Sequence, residues 1–367
     1  MNWVKKRLGD ICKIVGGATP STQNKDYYIN GTIPWITPKD LSTNKSKYIE
    51  KGERSITKEG LDSCSAKILP KGSILFSAYG TIGNIAIAKN DLTTNQNCAN
   101  LIPLSNVYNL FLYYCLLFNK KLISSHASGT IFKSVSVSRI ANVVVNIPAN
   151  KEDQIKISKI LDLIDQKIDI NNKINDNLEK MAYDIYMHNF FSKKPNGKLK
   201  DILLEAPKSK VKVGEARALN NGLYPFFTSG ESILNWNEAL TDGRNCFLNT
   251  GGIGDVKFYV GKASYSTDTW CISGNLNMSD YLYLLLFSIK SEIREKFFQG
   301  TSLKHLQKDF LKNKDIYIPK KMELDLFNKQ IVPIFDIISI IFRENKELTS
   351  LRDYLLPLLF NSQVTIN

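Results

Sequence analysis

The chain has 367 residues, 43% of them apolar, with a formal charge of +13 at pH 7 and a pI near 9.2. That length is too great for one ordinary compact domain and fits two or three, at roughly 100 to 200 residues apiece. The positive balance favours a polyanionic partner such as nucleic acid over a membrane, because the longest apolar run, YLYLLLFSI at 281–289, is about half the roughly 20 residues a spanning helix needs. The opening MNWVKKRLGD lacks the apolar stretch of a signal peptide, which predicts a cytoplasmic protein. Six cysteines without a C-x-x-C pair predict reduced, mostly buried thiols, and three histidines make a poor metal site.

In chain order, a basic and apolar entry, VKKRLGDICKI (4–14), leads into the turn GGATPS (16–21) and then IPWITPKDLS (33–42). A strand, a glycine turn and a second strand follow in ILFSAYGTIGNIAIAK (74–89). After LTTNQNCANL (92–101) comes an apolar helix, YNLFLYYCLLF (108–118), and then a segment running from Gly129-Thr130 to Ile147-Pro148. The same order returns downstream. NGKLKDILLEA, YPFFTSGES, CFLNTGGIGDVKFYVGK, YSTDTWCISG and DYLYLLLFSI lead to a segment from Gly300-Thr301 to Ile318-Pro319, and the step from Gly to Pro is 19 residues in both copies. A duplicated order with divergent side chains predicts two similar modules doing one kind of job on different targets.

Each module precedes a long helical pattern. In the first, Ile157, Ile160, Ile164, Ile168, Asn171, Ile174, Leu178, Met181 and Ile185 recur in steps of three and four, the seam of a coiled coil. In the second, Ile334, Ile338, Ile341, Asn345, Leu348, Leu351, Leu355 and Leu358 do the same. An offset of 174 relates Asn171 to Asn345 and Asp162 to Asp336, and a buried asparagine in such a seam fixes register. Pro333 is expected in the first turn of the second helix and Pro357 at a kink or its end. About 38 residues at 1.5 Å each make a helix of roughly 57 Å, which predicts an antiparallel pair with the modules at its two ends.

Catalytic signatures are wanting: neither glycine run forms G-x-x-x-x-G-K-[ST] or G-x-G-x-x-G, and there is no H-E-x-x-H or repeated carboxylate pair. The loops are instead rich in the amides, hydroxyls and lysines that read bases and hold phosphates. In the first module the candidates are Lys39, Lys45, Lys47, Tyr79, Thr81, Asn95, Gln96, Thr130, Lys133 and Arg139. In the second they are Asn249, Lys257, Thr267, Thr301, Lys304 and His305. Three function classes stay open on these residues: a DNA sequence reader, a self-contained DNA methyltransferase or nuclease, and a coiled-coil scaffold that binds proteins.

The ordered series GGATPS, IPWITPKDLS, GSILFSAYGTIGNIAI, TTNQNC, SGTIFKSVS and IANVVVNIP, with KEDQIKISKILDLIDQKIDINNKINDNLEKMA and ENKELTSLRDYLLPLLFNSQV, resembles the specificity (S) subunit of Type I restriction-modification systems over essentially the whole chain. The resemblance implies an α+β fold: two similar target recognition domains separated by two long antiparallel coiled-coil helices, with a pseudo-twofold internal repeat. On it, the chain divides into target recognition domain 1 (1–149), a central helical spacer (150–192), target recognition domain 2 (193–320) and a C-terminal helical spacer (321–367). It implies a chain with no catalysis and no cofactor of its own that recognises a bipartite target in double-stranded DNA. Two methyltransferase subunits carrying S-adenosylmethionine would bind it, and restriction subunits using ATP and Mg would join them. The helices, through Ile157, Ile164, Ile168, Asn171, Leu178, Ile185, Ile338, Ile341, Asn345, Leu348 and Leu355, would build the spacer and dock the methyltransferases. Asp165, Lys167, Asp169, Lys173, Arg343, Glu344 and Lys346 would form the rim. The second module departs from the pattern, with TSGES in place of TPKDL and NTGGIGDVK in place of SAYGTIGN.

Overall fold

The computed structural model describes residues 1–44, 46–127, 134–219, 222–300, 304–361 and 363. They form two compact units, one of residues 1–169 with 347–367 and the other of residues 170–346. Lys45, Thr130, Lys133 and Thr301 lie outside the described residues.

The first unit is built on a five-stranded sheet in the order Cys12–Gly16, Cys98–Pro103, Ile74–Ser77, Ile85–Ala88 and Tyr48–Ile49. Alternation along its middle strand explains the layering: Ile74 and Phe76 face a core shared with the helix Asn109–Phe118, while Leu75 faces a second core with Leu41, Ile49 and Leu92. A three-stranded sheet, Arg54–Ile56, Ile33–Ile36 and Thr93–Thr94, and an antiparallel ribbon of Trp3–Arg7 with Val144–Pro148 complete it.

The second unit repeats this plan. Its sheet runs Leu203–Glu205, Thr269–Gly274, Arg244–Asn249 and Val256–Val260, with Cys246 and Leu248 on one face and Phe247 on the other. The three-stranded sheet (Ile233–Trp236, Tyr224–Phe227, Ser264–Tyr265), the ribbon of Gly197–Lys198 with Asp315–Ile316 and the helix Ser279–Ser288 all have counterparts in the first unit. The fifth strand has none among the described residues. In the first unit it comes from the stretch after Ile36, where Thr37 and Asp40 cap the helix Pro38–Thr43 and the chain returns through Tyr48–Ile49. In the second unit the same sheet edge is closed by side chains, Ser339 Oγ accepting from Val260 N at 3.1 Å and Arg343 Nη1 donating to Val260 O at 3.0 Å.

The two long helices are Lys151–Phe190 and Lys321–Phe360, 40 residues each. Within each unit their segments pack antiparallel: Asp165 meets Arg352 in the first, and Asn171 meets Asn345 while Phe190 meets Phe327 in the second. Two readings of the sequence need correction. The second helix begins well before Pro333, which sits exposed in its interior, and it continues past Pro357 to Phe360. The seam also passes beside three of the large apolar residues chosen for it: Ile174, Met181 and Leu351 are 40%, 45% and 45% exposed, while Ala182 and Tyr186 are buried. The period was right, but the buried positions hold a small residue and an aromatic one.

Asn171 is 1% exposed, and its Nδ2 donates to Glu344 Oε2 at 2.7 Å and to Asn345 Oδ1 at 2.9 Å. Asn345 Nδ2 donates in turn to Asn172 Oδ1 at 2.9 Å, so the equivalent asparagines of the repeat hold each other. Asn171→Ala removes both of these bonds from the half-buried Glu344 and Asn345 and is expected to cost about 1–3 kcal/mol, read from urea unfolding. Asn171→Leu combined with Asn345→Leu is expected to recover that stability while broadening the seam's amide NMR signals, since an apolar seam no longer specifies one register.

Candidate nucleic-acid interface

At one end of each sheet, three loops are tied together by the same backbone bonds. In the first unit, Ala78 N donates to Asn97 O and Val135 N to Ala78 O, both at 2.9 Å. In the second, Thr250 N donates to Asp268 O and Leu306 N to Thr250 O, both at 3.0 Å. Each glycine turn therefore sits between the loop after the short parallel strand and the stretch that follows the Gly-Thr pair. Isolated bridges of Tyr79 with Ser134 and of Gly251 with His305 repeat the joint.

The turns are braced from below by the last residue of the preceding strand. Ser77 Oγ donates to Thr81 O at 2.6 Å and accepts from Asn84 N at 2.8 Å. Asn249 Nδ2 donates to Ile253 O at 2.8 Å. Gly80 and Gly252 adopt φ of +73° and +78°, which a side chain would strain. Gly17 is required for a different reason: a Cβ there would lie 2.3 Å from the carbonyl oxygens of Thr94 and Asn95.

This arrangement divides the candidate residues. Tyr79, Thr81, Gln96, Arg139, Lys304 and His305 are exposed on or beside the joined loops, and Thr267 is half-buried there. Arg139 Nη1 donates to His126 O at 2.9 Å, and Gln96 Oε1 takes the hydroxyl of Thr19. Lys39 is exposed but paired with Glu53 at 2.6 Å, a bond that raises its pKa. Surface pairs of this kind are weak enough to open for a phosphate.

Four candidates are structural instead. Lys47, with a side chain 4% exposed, is ion-paired with Asp162 and 4.0 Å from Asp165, so it ties the fifth strand to the first long helix and has nothing to offer a phosphate. Asn95 is buried, its Oδ1 accepting from Asn97 N at 3.1 Å, and it shapes its loop from inside. Asn249 is the turn brace. Lys257 donates to the carbonyls of Thr228 and Gly230, and burial holds its pKa below the usual lysine value.

Three lysines escaped the sequence reading. Lys208, Lys210 and Lys212 are exposed on an extended segment that runs beside the loops, where Thr267 N donates to Val211 O at 3.0 Å and Tyr265 OH to Pro207 O at 2.5 Å. Their spacing of two in KSKVK puts all three on one face of an extended chain, a pattern visible in the sequence. Close by, Lys308 stands 5.0 Å over the Trp270 ring, its pKa lowered by burial.

Two matched sets of polar loops on a basic chain suit a long polyanion better than a small ligand. The family model for the Type I restriction modification DNA specificity domain matches residues 1–180 and again 193–351. The chain belongs to that family. It is 30% identical over 414 residues to the Type I restriction enzyme MjaIX specificity subunit of Methanocaldococcus jannaschii, covering 100% of this chain and 94% of the relative. It is 28% identical over 199 residues to the EcoR124I/EcoR124II specificity subunit of Escherichia coli, covering 51% and 48%. The crystal structure of a Type I restriction-modification S subunit from M. genitalium shares the fold with a TM-score of 0.63 at 17% identity, covering 100% of this chain and 97% of that one. The function of this specificity subunit is DNA sequence recognition within a Type I restriction-modification system, and its two specificity domains are consistent with a bipartite target. No helix among its described residues is long and apolar enough to cross a membrane.

Proposed function

We propose that each unit of the specificity subunit reads one half of the DNA target through its three joined loops, and that the chain performs no chemistry itself. The observation that carries this reading is the same joint made twice with different side chains displayed: Tyr79, Thr81 and Gln96 in the first unit, Ile253, Thr267 and His305 in the second. One design with two readouts is what a bipartite target requires. Lys39, Arg139, Lys208, Lys210, Lys212 and Lys304 would hold phosphates, and the amides and hydroxyls would reach base edges.

Methyltransferase subunits, bringing S-adenosylmethionine, would seat on the long helices, and restriction subunits would bring ATP and Mg, all in the cytoplasm. Exposed apolar residues on those helices support the docking: Ile170, Ile174, Met181, Ile337 and Ile340 in the second unit, and Leu163, Leu351 and Tyr354 in the first.

Methylated-base sequencing of DNA from a host expressing the chain with its methyltransferase tests the reading. The expected product is a motif of two defined halves around an undefined spacer. The triple variant Tyr79→Ala, Thr81→Ala, Gln96→Ala is expected to relax one half only. Relaxation of both halves, or a continuous motif, would refute one reader per half.

A further inference from the structure

The glycine turn of the second unit displays one large side chain. Ile253 is 74% exposed at the apex between the strands Arg244–Asn249 and Val256–Val260. The turn beneath it is held from several sides. Asn249 Nδ2 bonds Ile253 O at 2.8 Å, Gly252 N bonds Lys304 O at 3.1 Å, and Arg294 Nε bonds Gly254 O at 2.6 Å. Gly254 is so close to the ring of Phe298 that a Cβ would lie 2.8 Å from it. An apolar group carried on a braced apex has lost the freedom to fold back into its own core.

Its surroundings are polar. Thr250, Thr267, Lys304 and His305 come from the loops joined to this turn. The matching apex of the first unit differs: Ile82 is half-buried against that unit's core, and Thr81 with Tyr79 faces outward. The two units thus share the brace and exchange a hydroxyl-bearing tip for an aliphatic one.

We infer that Ile253 is a specificity-determining residue that packs against the 5-methyl group of a thymine in the half-site read by the second unit. In the major groove that methyl is the apolar mark of an A·T pair, and an aliphatic side chain is its natural complement. Lys304 and the hydroxyls around the apex would hold the adjoining phosphates, which sets the depth to which the tip enters. The inference rests on the reading of the second unit as a DNA reader.

The test uses the specificity subunit assembled with its methyltransferase and duplexes carrying the target motif found by methylated-base sequencing. Each thymine of the second unit's half-site is replaced in turn by deoxyuridine, which removes only the methyl. Wild type is expected to lose about four-fold in affinity at one position, the worth of roughly one buried methyl group. Ile253→Ala is expected to bind more weakly at the start and to be indifferent to that replacement, while its affinity for unrelated duplex stays that of wild type. A half-site without thymine, no methyl-sensitive position, or an Ile253→Ala variant that keeps the sensitivity would each overturn the inference. Base-pair changes in this half that leave affinity unaltered would instead defeat the DNA-reading role of the whole unit, so the two failures are distinct.

Discussion

Arg244→Ala is expected to cost the second unit about 3–5 kcal/mol, because it strips the partner from a buried carboxylate. The guanidinium forks onto Asp280, with Nε to Oδ2 at 2.7 Å and Nη2 to Oδ1 at 2.6 Å, and Nη1 reaches Asp336 at 2.5 Å on the second long helix. It also donates to Val332 O at 3.2 Å. Asp280 is 1% exposed, and burial raises its pKa even though Arg244 pulls it down. A carboxyl whose folded pKa lies above its unfolded value binds protons more tightly in the fold. Stability therefore rises as pH falls through the raised value toward the ordinary 3.8. Removing Arg244 removes the downward pull, so the variant is expected to regain more stability between pH 7 and pH 5 than wild type does. Arg244→Lys keeps the charge but cannot fork onto two oxygens while reaching a third, and is expected to recover only some of the loss. Urea unfolding of the three proteins at both pH values, followed by tryptophan fluorescence, gives the comparison. A variant that loses less than about 1 kcal/mol, or whose loss is the same at both pH values, would remove Arg244 as the clamp between sheet, helix Ser279–Ser288 and second long helix.

The repeat was legible because it is written in residues that dictate backbone: glycines at turns, prolines at strand edges, and apolar runs whose period separates strand from helix. What the sequence concealed was the side of the loop on which a polar residue lies. Lys47, Asn95, Asn249 and Lys257 have the composition of DNA contacts, yet each turns inward to an Asp, a backbone N–H or a carbonyl. A polar residue in a loop can brace or display, and only the partner decides which. Pro333 misled for a related reason: proline disfavours a helix interior, but a solvent-facing site in a helix anchored at both ends tolerates it. KSKVK stayed hidden because the repeat singles out loops that recur in both modules, and this segment has no basic counterpart in the first.

The first unit includes residues 347–367, so its core cannot close until the end of the second long helix arrives. Phe360 shows what that end contributes. It is 2% exposed, stacks on Phe111 at 5.1 Å and on Phe118 at 5.5 Å, and meets the edge of Trp3 at 6.5 Å. Leu356 and Leu359 enter the same core beside Ile157 and Leu161. Phe360→Ala opens a cavity among rings that cannot collapse together without moving the sheet, and is expected to cost about 3–5 kcal/mol. The loss should fall on the first unit. In hydrogen exchange, the amides of Asn109–Phe118 are expected to exchange at least a hundred-fold faster, since each 1.4 kcal/mol is about a factor of ten when opening limits exchange. Those of Ser279–Ser288, in the other unit, are expected to keep their rates. Equal acceleration in both helices would show one cooperative block in place of two. Acceleration in the first alone would make the stability of one DNA reader depend on a ring supplied by the far end of the chain.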